Sequence, residues 1–246
     1  MGRRPCLIER ENMAEHQKYN GLGPIKMGLM VGIPYCGRPI QMDWALSMWQ
    51  QRWPLNTNLK YNICRGDRVD ESRNSIATMA VNEGFRYLWF VDDDTAPPYF
   101  AADKLINDIE QADDGVAAAG GIYFAKKDPT EPVVYKVNGQ GAFWKWDYGE
   151  VFECMGIGTG CLMIKVEALK NIPQPWFRIV DDKYDEGDLR RLQVSDDLYF
   201  CQQATGAGYK ILADGGVVCI HWDVDTGRHY TLPEGSYPAR KMAKQT

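Results

Sequence analysis

The sequence predicts an α/β protein: a mainly parallel central sheet flanked by helices, with a smaller hairpin region. Three observations carry that expectation. Short apolar runs alternate with helical stripes through residues 27–119, the pattern of strands joined by crossover helices. The 246-residue chain is 45% hydrophobic and 25% charged, which suits one large domain with its own core. Its aspartate clusters fall after apolar runs or at the start of a helix, near the strand ends where an open α/β sheet gathers ligands.

Residues 1–26 read as a polar leader ending in Gly21-Leu22-Gly23-Pro24. It has no apolar core of a signal peptide, and Cys6 stands where a myristoylation signal needs Ser or Thr. Met27 to Ile33 is a buried strand stopped by Pro34. Met42, Ala45, Leu46 and Trp49 keep helical spacing, and Leu59 to Cys64 is a second strand. Val69, Arg73, Ile76, Ala77 and Ala80 form one helical stripe, with Gly84 as the residue just past its end. Arg86 to Val91 is a third strand, residues 99–111 a helix, and Val116 to Ala119 a fourth strand. Asn138-Gly139 between Val133–Val137 and Ala142–Trp146 predicts a hairpin. Cys161–Val166 is a strand, Ser195 caps a helix to about Thr205, and Tyr209–Ala213 and Val217–Ile220 are strands. Residues 27–222 thus form the domain, and 223–246 a polar tail. With Gly227, Pro233, Arg228, His229, Arg240, Lys241 and Lys244, that tail reads either as a solvated, frayed terminus or as a mobile flap.

The net charge of −5 excludes a general nucleic-acid coat. No apolar run approaches the roughly 18 residues of a membrane helix. Seven scattered cysteines without a CxxC pair read as reduced thiols, which points to a cytoplasmic protein.

The chemistry concentrates at Asp92-Asp93-Asp94, directly after the strand ending at Val91. Three adjacent carboxylates repel one another, and a hard divalent cation relieves that repulsion. A helix cap at Asp94 or Thr95 is the plainer explanation, but a cap uses only one of the three. His221 follows the strand Val217–Ile220, and two carboxylates with one imidazole suit Mn²⁺ or Mg²⁺. Asp196-Asp197, after Ser195, serve either as helix-dipole partners or as a carboxylate base. Arg73-Asn74 read as an exposed helical pair or as donors to a phosphate or sugar. Gly156-Ile157-Gly158-Thr159-Gly160 lacks the spacing of a dinucleotide loop and opens into a strand, so that reading is rejected.

In this order, the Arg73-Asn74 helix, Val91-Asp92-Asp93-Asp94, Gly158 to Ile164, Ser195-Asp196-Asp197 and Gly208-Tyr209-Lys210-Ile211 before His221 resemble the GT-A glycosyltransferases. The nearest likeness is to the family-2-like nucleotide-sugar enzymes with a DxD motif, over roughly Met27 to Trp222. The resemblance implies a GT-A (Rossmann-like) domain that moves a sugar from a nucleoside-diphosphate sugar to an acceptor hydroxyl. It implies Asp92 and Asp93 on the nucleotide, with Asp92 also toward the metal, and Asp94 and His221 as metal ligands. Base and ribose would meet Ile33, Pro34, Arg65 and Asp67, while Asp197, with Asp196 beside it, would be the catalytic carboxylate. Asp stands at 196 where the family has Glu, and the QxxRW signature of processive synthases is absent. The acceptor, whether saccharide, protein or modified nucleobase, is left open. Two alternatives stand beside this reading: a sugar-phosphate nucleotidyltransferase, and a non-catalytic sugar-binding module using Trp144, Trp146, Tyr148 and Trp176.

Overall fold

In a computed structural model, the described residues are 27–66, 68–112, 115–137, 139–181 and 193–232. The first half follows the alternation of the sequence. Strand β1 (Met27–Tyr35) leads to α1 (Met42–Trp49), β2 (Thr57–Arg65), α2 (Val69–Asn82) and β3 (Tyr87–Val91). A two-residue strand β4 (Thr95–Ala96) precedes α3 (Ala101–Gln111) and β5 (Val116–Ile122). Helix α2 ends as its sequence requires: Gly84 has φ +71°, a conformation a side chain would strain.

The second half contains β6 (Val134–Tyr135), β7 (Val151–Cys154), β8 (Gly156–Ile157) and β9 (Cys161–Lys165), then the short α4 (Val166–Leu169). After β10 (Val180–Asp181) and β11 (Gln193–Val194) come α5 (Asp196–Gly206), β12 (Lys210–Val218), β13 (Ile220–Trp222) and β14 (His229–Tyr230).

Seven strands form the main sheet in the order β2-β1-β3-β9-β5-β12-β7. Strands β1, β2 and β3 are mutually parallel, as are β5 and β12. Strand β9 runs antiparallel to both β3 and β5 and so aligns those two groups in one direction; β7 is an antiparallel edge. The expected α/β architecture is therefore present, a mainly parallel sheet flanked by helices.

Alternation along the strands divides the core in two. Leu29, Val31, Tyr87, Trp89 and Met163 pack with Trp44 and Met48 of α1 and Leu105 and Ile109 of α3. Met30, Leu88, Phe90, Leu162 and Ile164 pack on the other face with Ile76 and Ala80 of α2 and Phe200 and Ala204 of α5. Every residue of β3 is buried, which is what a central strand covered on both faces requires.

Three expectations are corrected. The hairpin around Asn138-Gly139 does not form between the predicted partners: Val134–Tyr135 pairs with Gly156–Ile157 instead. The stretch 142–146 is irregular and spends its aromatic rings on packing, with Phe143 and Trp146 against Phe152. The two predicted strands at 209–220 are mostly one, β12, interrupted by an irregularity between Asp214 and Val218. The chain also does not turn loose at 222, because β14 folds back and pairs His221 with Tyr230 and Trp222 with His229. Residues 233–246, with Arg240, Lys241 and Lys244, lie outside the described residues.

Candidate functional site

Parallel strands β1 and β3 deliver their carboxyl ends to one crevice of about 320 Å³. Its walls include Pro34, Cys36 and Arg38 after β1, Arg68 before α2, and Asp92, Asp93 and Asp94 after β3. The aspartates stand there because β3 is the most deeply buried strand and its chain must leave the sheet at Val91. The exit is pinned, since the Asp92 amide donates to the Gly160 carbonyl at 3.1 Å and the Thr95 amide to the Asp92 carbonyl at 3.1 Å.

His221 reaches the same place by a separate route. Strand β13 lies antiparallel to β4, setting His221 opposite Thr95 and Ile220 opposite Ala96. The Trp222 amide donates to the Asp94 carbonyl at 2.7 Å and locks the register. The His221 Nε2 atom is consequently 3.4 Å from Asp94 Oδ1. On the far side of the ring, Nδ1 lies 2.7 Å from the Phe124 carbonyl oxygen, which can only accept, so Nδ1 carries a proton.

A neutral imidazole then presents its Nε2 lone pair to a carboxylate that also only accepts. Either a proton on Nε2 or a cation between the two resolves that clash. Adjacent ligands on a cation with bonds of about 2.1 Å lie roughly 3.0–3.4 Å apart, so the pair has the spacing and donor types that fit Mn²⁺ or Mg²⁺. The fit stops at two ligands. Among the described residues no group of three or more His, Cys, Asp or Glu is gathered into a metal cluster. Asp92 is engaged elsewhere, for both of its oxygens face Arg73 Nη2, at 2.7 and 2.8 Å.

Arg73 is the pivot of the interior. Its Nη1 donates to Asp196 at the start of α5, so one buried guanidinium joins the end of β3 to α5. Burial opposes its charge, yet Asp92 and Asp196 hold its pKa above the ordinary value. Burial pushes the Asp92 carboxyl up, against the pull of Arg73. Burial would also raise Asp94, but His221 and Lys126 hold it well below the usual carboxylate range. Asp93, raised by burial and by the Asp94 charge, accepts from the Cys36 amide at 3.4 Å.

The remaining predicted residues divide clearly. Asn74 has no group left for a ligand. Its amide donates to the Asp70 and Phe177 carbonyls at 2.9 and 2.6 Å, and its oxygen accepts from Trp176 and Phe177 at 3.0 and 3.2 Å. Arg73 is likewise directed at carboxylates and not at an open phosphate position. The Ile33 side chain is core, while Pro34 lines the crevice. Arg65 is exposed at the end of β2, and Asp67 lies outside the described residues. Asp196 is buried on Arg73, whereas Asp197 accepts from Ser195 Oγ and from the Leu198 amide at 2.8 Å. Burial raises the Asp197 carboxyl, with Ser195 opposing it. Neither residue of the pair is among those lining the crevice.

The structure adds groups that the sequence reading passed over. Lys126, in the loop after β5, places Nζ 2.6 Å from Asp94 Oδ2, and Arg38 Nη2 lies 3.5 Å from the same oxygen. No local signal marked Lys126, which lies four residues past the end of β5. Gly158 and Gly160 have a purely steric purpose. A Cβ at Gly158 would stand 2.0 Å from the Tyr123 hydroxyl, and one at Gly160 would stand 2.8 Å from Thr95 Oγ1. The Tyr123 ring in turn meets the His221 ring edge-on, 5.1 Å between centres.

No protein-family model matches the chain, and no curated protein matches it in sequence. Solved structures do resemble it. The crystal structure of A197 from STIV superposes with a TM-score of 0.57 at 19% identity, covering 85% of this chain and 95% of that one. GalNAc-T7 with UDP, GalNAc and Mn²⁺ gives 0.48 at 10% identity, covering 78% of this chain and 43% of that one. S. aureus TarS 1–349 in complex with UDP-GlcNAc gives 0.45 at 14% identity, covering 76% and 56%. The chain thus spans about half the length of the latter two. The likeness to A197 extends over nearly the whole of both chains, and at that identity it is a likeness of fold.

Proposed function

We propose that this chain transfers a sugar from a nucleoside-diphosphate sugar to an acceptor hydroxyl, with a divalent cation held by Asp94 and His221. The observation that carries this reading is the pairing of β4 with β13. It brings a tautomer-fixed imidazole to 3.4 Å from Asp94, a carboxylate that lines the crevice beside Asp92 and Asp93. A bound Mn²⁺ or Mg²⁺ would supply positive charge where the leaving diphosphate becomes more negative.

The protein's own residues do the rest. Arg38 and Arg68 add positive charge to the crevice wall, where a diphosphate needs it. Asp92, immobilised by Arg73, would accept from a ribose hydroxyl through the lone pairs that Arg73 leaves free. In the transfer the anomeric carbon–oxygen bond breaks and its electron pair leaves with the diphosphate. The acceptor oxygen bonds to the anomeric carbon, and its proton passes to the Asp197 carboxylate. Burial raises the basicity of that carboxylate, which suits a general base.

The test is incubation with a panel of nucleotide sugars and Mn²⁺, scored for nucleoside diphosphate release with and without candidate acceptors. Release that stops on chelation and returns with Mn²⁺ is expected. Exchange of pyrophosphate in its place would identify a nucleotidyltransferase, and binding without any turnover would identify a sugar-binding module. Either result overturns the proposal.

A further inference from the structure

Asp94 is surrounded by cations of the protein itself. Lys126 Nζ is in contact with Oδ2 at 2.6 Å, and Arg38 Nη2 stands 3.5 Å from the same atom. The other oxygen faces His221 at 3.4 Å and Thr95 Oγ1 at 3.5 Å. The outward oxygen of the carboxylate assigned to the cation is thus already taken by an ammonium group.

The backbone around Lys126 is braced. The Ala125 amide donates to the Glu131 carbonyl at 2.8 Å, and the Ala125 carbonyl accepts from Thr130 Oγ1 at 2.7 Å and the Lys127 amide at 2.9 Å. Lys127 turns outward to Glu131, at 2.6 Å. Phe124, two residues before Lys126, supplies the carbonyl that orients His221. One strand end therefore sets the imidazole and the competing ammonium together.

We propose that Lys126 is a tethered counter-ion of Asp94 that competes with a divalent cation for the same carboxylate oxygen and is displaced from it when one binds. It is a positioning residue that sets cation affinity. A single positive charge and a divalent ion cannot share one carboxylate oxygen without strong repulsion. The lysine therefore spares the apo crevice an unpaired buried carboxylate, and in return it weakens cation binding. This inference rests on the reading of Asp94 and His221 as cation ligands.

The experiment is titration of the full chain with Mn²⁺ alone, following free Mn²⁺ by electron paramagnetic resonance. Lys126→Met is expected to bind Mn²⁺ on the order of 10-fold tighter than wild type, because a competing positive charge has been removed from the ligand oxygen. Lys126→Arg, which keeps the charge, is expected to stay within about threefold of wild type. Adding His221→Ala to Lys126→Met should abolish the gain. A role in folding alone would leave affinity unchanged or lower it, so a rise separates the two. Equal or weaker binding by Lys126→Met, with wild type binding normally, overturns the counter-ion and leaves the ligand assignment standing. A gain that survives His221→Ala also overturns it. Binding by neither protein overturns both readings.

Discussion

Asp92 and Asp196, at the end of β3 and the start of α5, are held to one another by a single buried guanidinium, that of Arg73. The arrangement makes α2 a strut between the crevice and the helix that carries Asp197. A buried ion pair is weak evidence of net stabilisation, but breaking one from one side is costly because it strands the other charge. Arg73→Met strands two. Its expected cost is about 3–5 kcal/mol, measured by chemical denaturation. Arg73→Lys should recover only part of it, since a point charge cannot fork to two carboxylates. A loss below about 1 kcal/mol for Arg73→Met would show that the bridge is dispensable.

A second buried cluster lies beneath α3. Lys104 contacts both Asp108 and Asp214, the latter at 2.7 Å, so one ammonium serves two carboxylates. Burial and the nearby Asp214 raise the Asp108 carboxyl to about 7, against the pull of Lys104. An unfolded aspartate titrates near 3.9, so the folded state retains a proton that the unfolded chain has lost between about pH 4 and 7. That contribution is fully present below about pH 4 and is lost as pH rises through about 7. Asp108→Asn should therefore flatten the fall in stability between about pH 4 and 7, compared with wild type by urea denaturation. Parallel curves for the two proteins would exclude a shared proton at this site.

Much of the first half of the fold was legible because its signals are local. Periodicity places β1, α2, β3 and α3 within a few residues, and Gly84 ends α2 as its position requires. What was hidden depends on distant partners. Nothing near Cys161–Lys165 announces that β9 will insert antiparallel between β3 and β5. The β4–β13 pairing involves strands of two and three residues, too short for any period, yet it alone unites Asp94 and His221. Strand-end position found the acidic side of the crevice but not its basic side. Arg38 and Lys126 sit in loops whose course is set by contacts made elsewhere. Asn74 was misjudged for a related reason, since its four partners lie on Asp70, Trp176 and Phe177, and two of those residues are more than 100 positions away.

The two adjacent aspartates of α5 should play unequal parts. Consecutive helical residues point about 100° apart, so both cannot serve one atom. Asp196 turns inward to Arg73 and is buried there. Asp197 stays on its own helix start, accepting from Ser195 Oγ and the Leu198 amide, with its carboxyl raised by burial. Removing the Asp196 charge weakens a hydrogen bond between ionised partners, which costs about 1.5–3 kcal/mol. Removing the Asp197 charge takes away a base, and a positioned base typically contributes about 10²–10⁴-fold in rate. Asp197→Asn should therefore lower kcat by at least about 100-fold with donor affinity nearly unchanged, because the residue lies apart from the crevice wall. Asp196→Asn should show the opposite balance, a loss of stability with a smaller change in kcat. Steady-state kinetics beside denaturation of both variants gives the comparison. Small and equal effects on kcat would reduce the pair to a helix start, and the proton would have to pass to another group.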